Sequence, residues 1–295
     1  MLHAQVTVSD ATGWSGWKAA STGNTIADPL GDQQTGQSSD DFVGGDDGSG
    51  TIFYGMAQKT GTLAGHGSDE YIMFRARMDG YDVDNKFGGN GGRFSLGMDL
   101  DNSGSIDLIM MMAEGSGNVG NRSRTITFGT PGSGANDAPS TTSWTFQTQT
   151  PIDLVVGDTY SLIQASDGSA FNGTPDAWVN FAISFTDFTA AIQTYAKGSF
   201  STFTFDANSE VSYIAYTSTQ DNAINQDLFG ANKADISSGM TFADLGTLTP
   251  SITAAGTPVP EPATYAQIGG FMLVAGALFW RRRRQRLRAS LPVQA

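Results

Sequence analysis

Apolar and polar residues alternate with period two along most of the first 250 positions. The clearest stretches are 51–57 (TIFYGMA), 70–78 (EYIMFRARM), 93–100 (RFSLGMDL), 105–112 (SIDLIMMM), 124–128 (RTITF), 159–165 (TYSLIQA), 177–185 (AWVNFAISF), 200–205 (FSTFTF) and 211–218 (VSYIAYTS). A strand turns successive side chains to opposite faces, so this period predicts half-buried strands. Gly, Asn, Asp and Ser gather between the stretches, which is turn chemistry. One segment, Asp187–Lys197, reads as a short helix with Phe188, Ile192 and Tyr195 on one face, placed to close one end of a barrel or sandwich. The long crossover helices that a parallel sheet needs are missing from the pattern. The expected fold is all-β: an antiparallel β-sandwich, jelly-roll-like, forming one ectodomain over residues 5–245.

The pattern changes after that. Residues 246–262 read as a linker ending in TPVPEP, whose prolines hold the chain stiff and extended. Ala263–Trp280 carries no charge. As a helix it reaches about 27 Å, against a bilayer core of about 30 Å. Tyr265 and Trp280 fall near its two ends, where aromatic rings favour the membrane interface. The predicted transmembrane helix is followed by a basic tail, 281–295, that opens RRRRQRLR. Such a cluster stays on the cytoplasmic side, which puts residues 1–260 outside.

The succession Pro260-Glu261-Pro262, a short apolar helix and Arg281, Arg282, Arg283 and Arg284 resembles the PEP-CTERM sorting signal. The resemblance implies recognition by an exosortase-type transpeptidase, a cut near the Pro-Glu-Pro, and delivery of the body to the cell surface or an extracellular matrix. It also implies association with exopolysaccharide and biofilm. Uncut, the same segment is a single-pass membrane anchor. Export requires a signal peptide; Leu2-His3-Ala4 reads as the end of one, cleaved after Ala4, with the rest encoded upstream of Met1.

Charge sharpens the picture. The whole chain has a formal net charge of -13, but six of its 16 basic residues follow Trp280. Residues 1–260 hold 10 Lys and Arg against 28 Asp and Glu, a net of -18. Such a body repels phosphates and attracts divalent cations, which argues against nucleic acid as a partner. The chain has no Cys, so disulfides, thiolate metal sites and a cysteine nucleophile are excluded.

The clearest local chemistry is the run Asp99, Asp101, Ser103, Gly104, Ser105 and Asp107. Oxygen donors at alternate positions with a glycine at the sixth resemble a calcium loop, with the Ser105 carbonyl as a further donor. An EF-hand needs a Glu at the twelfth position, where this chain has Met110, so the run is closer to the strand-joining D-x-D-x-D-G-x-x-D loops of extracellular β-proteins. Ser103 in place of the third Asp removes a charge and weakens binding. The expected role is a structural calcium tie between two strands; a solvated hairpin turn is the other reading.

Thr217–Gly230, together with Gly97–Leu108, is similar to a body type of other exported PEP-CTERM proteins with no assigned activity. Its Gln220, Asp221, Asn225 and Asp227 either bind a ligand or hydrogen-bond their own loop. Trp14, Trp17 and Tyr81 lie in glycine-rich or polar stretches and are candidates for contact with a glycan through a flat ring face. Catalytic signals are sparse. His66 sits in a glycine loop, Gly115–Gly120 matches a dinucleotide fingerprint but precedes a strand pattern, and nothing selects a pair of carboxylates. The expected function is a non-catalytic, exported surface or matrix protein. A carbohydrate-binding module or a polysaccharide hydrolase outside the cell is the alternative.

Overall fold

A computed structural model describes residues 5–8, 14–17, 26–34, 38–44, 55–80, 92–115, 123–134, 144–146, 150–165, 175–231, 240–245 and 248–254. The chain divides into two units, Met1–Pro258 and Val259–Ala295. The predicted membrane helix, the Pro-Glu-Pro, the arginine cluster, residues 1–4 and Tyr81 lie outside the described residues. Among the described residues no helix is long and apolar enough to cross a membrane.

The described part of the first unit is mostly β. One sheet contains β1 (Gln5–Val6), β2 (Ser15–Gly16), β3 (Met56–Leu63), β4 (Tyr71–Met78), β10 (Tyr160–Gln164) and β11 (Ala177–Ser184), in the order β1-β3-β4-β11-β10 with β2 also on β3. The other contains β5 (Arg93–Asp99), β6 (Leu108–Glu114), β7 (Arg124–Pro131), β8 (Trp144–Phe146), β9 (Ile152–Asp153), β12 (Glu210–Ser218), β13 (Asp227–Leu228) and β14 (Ile252–Thr253). Its order is β13-β12-β5-β6-β7-β8, with β14 on β12 and β9 on β7. Pairing is antiparallel except for β1 with β3.

In the second sheet β5, β6 and β7 run as a meander and β12 returns beside β5, which is Greek-key order. The first sheet sets two hairpins side by side. A jelly roll has two Greek keys, so the observed path departs from the expected one in the first sheet.

The inner faces follow the period-two reading. Ile72, Phe74, Ala76 and Met78 of β4, Phe94, Leu96 and Met98 of β5, and Val179, Phe181 and Ile183 of β11 alternate into one core. Met110, Met112, Tyr213 and Ala215 join them from β6 and β12. Rings from the two sheets meet there: Phe94 lies 5.3 Å from Phe181 and Phe74 lies 5.8 Å from Tyr213. The outer face of the second sheet is covered too. Ile109, Met111, Trp144, Ile214 and Tyr216 form a second core with Ile224, Leu228, Phe242 and Leu245. Burial on both faces explains why residues 108–112 read as a continuous apolar run.

The one described α-helix, α1 (Phe185–Tyr195), begins where Ser184 caps it, accepting the Asp187 N–H at 3.0 Å. Phe188 and Ile192 are buried and Tyr195 packs at the core's edge. The stretch 200–205 forms no strand; it begins as a turn, and its Phe205 ring lies 4.5 Å from Phe188 at a tilt of 55°. Phe205 meets Phe185 and Phe188 of the helix, while Phe200 and Phe203 pack against the core; a short apolar run cannot distinguish this from a strand.

Candidate metal sites

The β5–β6 loop is organised by its own carboxylates. The Asp99 oxygens accept the N–H groups of Ser103 at 3.1 Å and Gly104 at 2.8 Å. Asp101 accepts the Ser103 N–H at 3.1 Å, and the Ser103 hydroxyl accepts the Ser105 N–H at 3.4 Å. Asp107 Oδ2 accepts the Leu100 N–H at 2.8 Å. The turn takes φ of 58° at Asn102 and 81° at Gly104, a region that Asn and Gly tolerate best. Oxygens of Asp99, Asp101 and Asp107 thereby lie within 4.8 Å of one another. Asp99 and Asp107 are buried, while Asp101, Ser103 and Ser105 are exposed. Burial, aided by the neighbouring carboxylates, pushes Asp107 up to about 6 and moves Asp99 in the same direction. Oxygens in this number and at this range suit a hard divalent cation.

A second carboxylate cluster was not legible as a motif. Asp28, Asp32, Asp41 and Asp227 each place an oxygen within 4.8 Å of the others. Asp28 bridges to Gly44 through its backbone, its N–H donating to the Gly44 carbonyl at 2.8 Å. Gly31, at φ 76°, turns the chain between Asp28 and Asp32 and donates its N–H to Asp41 Oδ2 at 2.9 Å. Asp227 lies in β13, where its oxygens accept the N–H groups of Phe42 and Leu228, each at 2.6 Å. Gly230 donates to Asp28 Oδ1 at 2.6 Å. Asp28, Asp41 and Asp227 are buried and Asp32 is half-buried.

Burial and mutual repulsion push Asp28 and Asp227 well above the usual carboxylate range. Burial foremost, with Asp32 and Asp79 adding, pushes Asp41 up to about 7. Two unit charges at 4 Å repel by about 4 kcal/mol even at an effective dielectric of 20. Four carboxylates this close therefore need protons or a cation among them. Asp28 and Asp32 bracket Pro29-Leu30-Gly31, a local hint, but Asp227 arrives from the far end of the sequence and no spacing rule reaches it.

The remaining candidates resolve into structure. Trp17 is only 2% exposed and stacks 5.0 Å from Tyr213, so it belongs to the core and not to a glycan-binding surface. Its glycine-rich neighbourhood suggested exposure, yet β2 lays the ring against the second sheet. Trp14 is half-buried with the Arg75 guanidinium 4.6 Å from its ring, and Arg75 also lies 4.3 Å from Trp178. His66 meets Asp158 at 2.6 Å and Tyr71 at 5.3 Å, joining two turns. In the 217–230 segment, Asp221 binds Arg93 at 2.6 Å and Asn225 accepts from Ser218 at 2.7 Å and Thr219 at 3.0 Å. Gln220 is exposed. Of that quartet only Asp227 enters a carboxylate cluster.

The PEP-CTERM protein-sorting motif matches residues 258–284. No curated protein and no solved structure matches the chain. The motif marks the chain as an exported protein sorted by an exosortase, a membrane-associated enzyme.

Proposed function

We propose that this protein is a non-catalytic component of the cell surface or extracellular matrix, handed there through its C-terminal sorting signal. The observation that carries the reading is the sorting motif at 258–284 behind a β-rich body. Ala263–Trp280 spans the membrane before processing, and Arg281–Arg284 hold the tail inside. The transpeptidase cuts near Pro260–Pro262 and passes the body outward, into association with extracellular polysaccharide or biofilm. The body is a two-sheet β-sandwich, steadied by a structural calcium on Asp99, Asp101 and Asp107. The acidity of residues 1–260 supports a cation-rich setting outside the cell.

The test is mass spectrometry of the mature C-terminus from native cells. An end at or near Pro260–Pro262 is expected. An intact chain ending at Ala295 would refute transfer and leave a permanent single-pass anchor.

A further inference from the structure

We infer that Asp28, Asp32, Asp41 and Asp227 bind one calcium ion, at a buried site separate from the β5–β6 loop. Two independent observations meet here. The first is the convergence of four carboxylates within 4.8 Å. The second is that Asp28 Oδ2 and Asp41 Oδ1 are buried without any hydrogen-bond partner, on residues 4% and 0% exposed. The opposite oxygen of each is held by a backbone N–H, from Gly230 at 2.6 Å and from Gly31 at 2.9 Å. Each carboxylate is thus fixed by one oxygen and offers the other. A buried acceptor that lacks a donor is costly, and a cation removes that cost for both at once.

Oxygen donors alone, with no imidazole or thiolate, select a hard ion over zinc or copper. Donors drawn from a turn, the chain after a 3-10 turn at Ser38–Asp40, and a short strand suit calcium's flexible shell of six to eight ligands better than magnesium's strict octahedron. Gln33 Oε1, in the same turn as Asp32, is a further buried oxygen without a partner. The ion would fasten residues 28–44 to β13. The backbone already joins these segments where Gln34 N–H meets the Gln226 carbonyl at 2.9 Å.

Full-length protein carrying Asp101→Asn, which disables the loop, is stripped with chelator in detergent and dialysed against calcium chloride. It should retain one calcium per chain by elemental mass spectrometry. Its Tm should rise by about 5–10 °C at a hundredfold excess over Kd. No retained calcium with an unchanged Tm overturns the site, and an equal response to magnesium chloride overturns the choice of ion. Adding Asp28→Asn and Asp41→Asn should abolish retention and invert the order of stability. The triple variant should melt above its Asp101→Asn parent in chelator, because two crowded, buried carboxyl groups are gone, and below it in calcium. Retention of calcium by the folded triple variant would also overturn the assignment; if that variant does not fold, the parent's stoichiometry decides. The loop reading is judged separately, by whether the unaltered protein holds one calcium more than Asp101→Asn.

Discussion

Gly129 of β7 is glycine because Trp144 lies on it. A Cβ there would sit 1.9 Å from Trp144 Cε3 and 2.9 Å from the Thr145 carbonyl oxygen, so ring and backbone both block it. Gly129→Ala should therefore destabilise by about 1–3 kcal/mol or more through overpacking. A lowered urea midpoint at unchanged m-value would show it. Arg77 carries a different lesson. Within EYIMFRARM it occupies a polar, outward position, for which period two predicts solvent. It is instead fully buried, with Nε 2.9 Å and Nη2 2.6 Å from Asp176 Oδ2. Alternation tells which face a residue takes; whether another segment later covers that face is not written locally. Asp176→Ala removes the buried carboxylate from the guanidinium and should cost about 3–5 kcal/mol in the same denaturation experiment.

At the scale of elements, most long periodic strands were legible and short ones were not; β3 (Met56–Leu63) begins only where the expected stretch 51–57 ends. β4, β5, β11 and β12 lie within a residue or two of their expected ranges, because each contributes three or more alternating side chains to one core. β1, β2, β8, β9, β13 and β14 span only two or three residues and exist through their partners, which no local pattern can reveal. The helix was legible because Phe188 and Ile192 keep a four-residue spacing; its start at Phe185, two residues ahead of the expected Asp187, is set by the Ser184 cap. Ser184→Ala should lower stability by about 1 kcal/mol, since its hydroxyl both accepts the Asp187 N–H and donates to Asp187 Oδ2 at 2.7 Å. The two carboxylate clusters divide the same way. Asp99, Asp101 and Asp107 sit in one hairpin loop and follow a spacing; Asp28, Asp32, Asp41 and Asp227 are assembled by the fold. Asp101→Asn should remove only the loop's share of any calcium-dependent Tm rise and leave the remainder intact, which melting curves in calcium and in chelator would separate.

For the molecule as a whole, the proposed occupancy of both clusters would make stability depend on pH and calcium together. Buried carboxylates hold protons more tightly in the fold than in the unfolded chain: Asp40 and Asp41 are pushed to about 7 and Asp107 to about 6, from an ordinary 3.8. Asp28 and Asp227 shift in the same direction. A folded-state value above the unfolded one means the native protein binds more protons between the two, so stability must fall as pH rises through that window. In chelator, the Tm should therefore decline from about pH 4 to about pH 7, as the carboxylates lose their protons with nothing to replace them. Saturating calcium supplies the missing positive charge, and because it competes with protons its hold strengthens as they leave. The calcium increment in Tm should accordingly be small near pH 4 and grow toward pH 7. The body's net charge of -18 adds a general repulsion that also rises with pH, but it acts in both solutions and cancels in their difference. Melting curves across this range, with and without calcium, isolate the specific effect. Two curves that fall in parallel would mean that the clusters hold protons and no ion; divergence that disappears only when both clusters are substituted would tie the stability of the exported body to the calcium outside the cell.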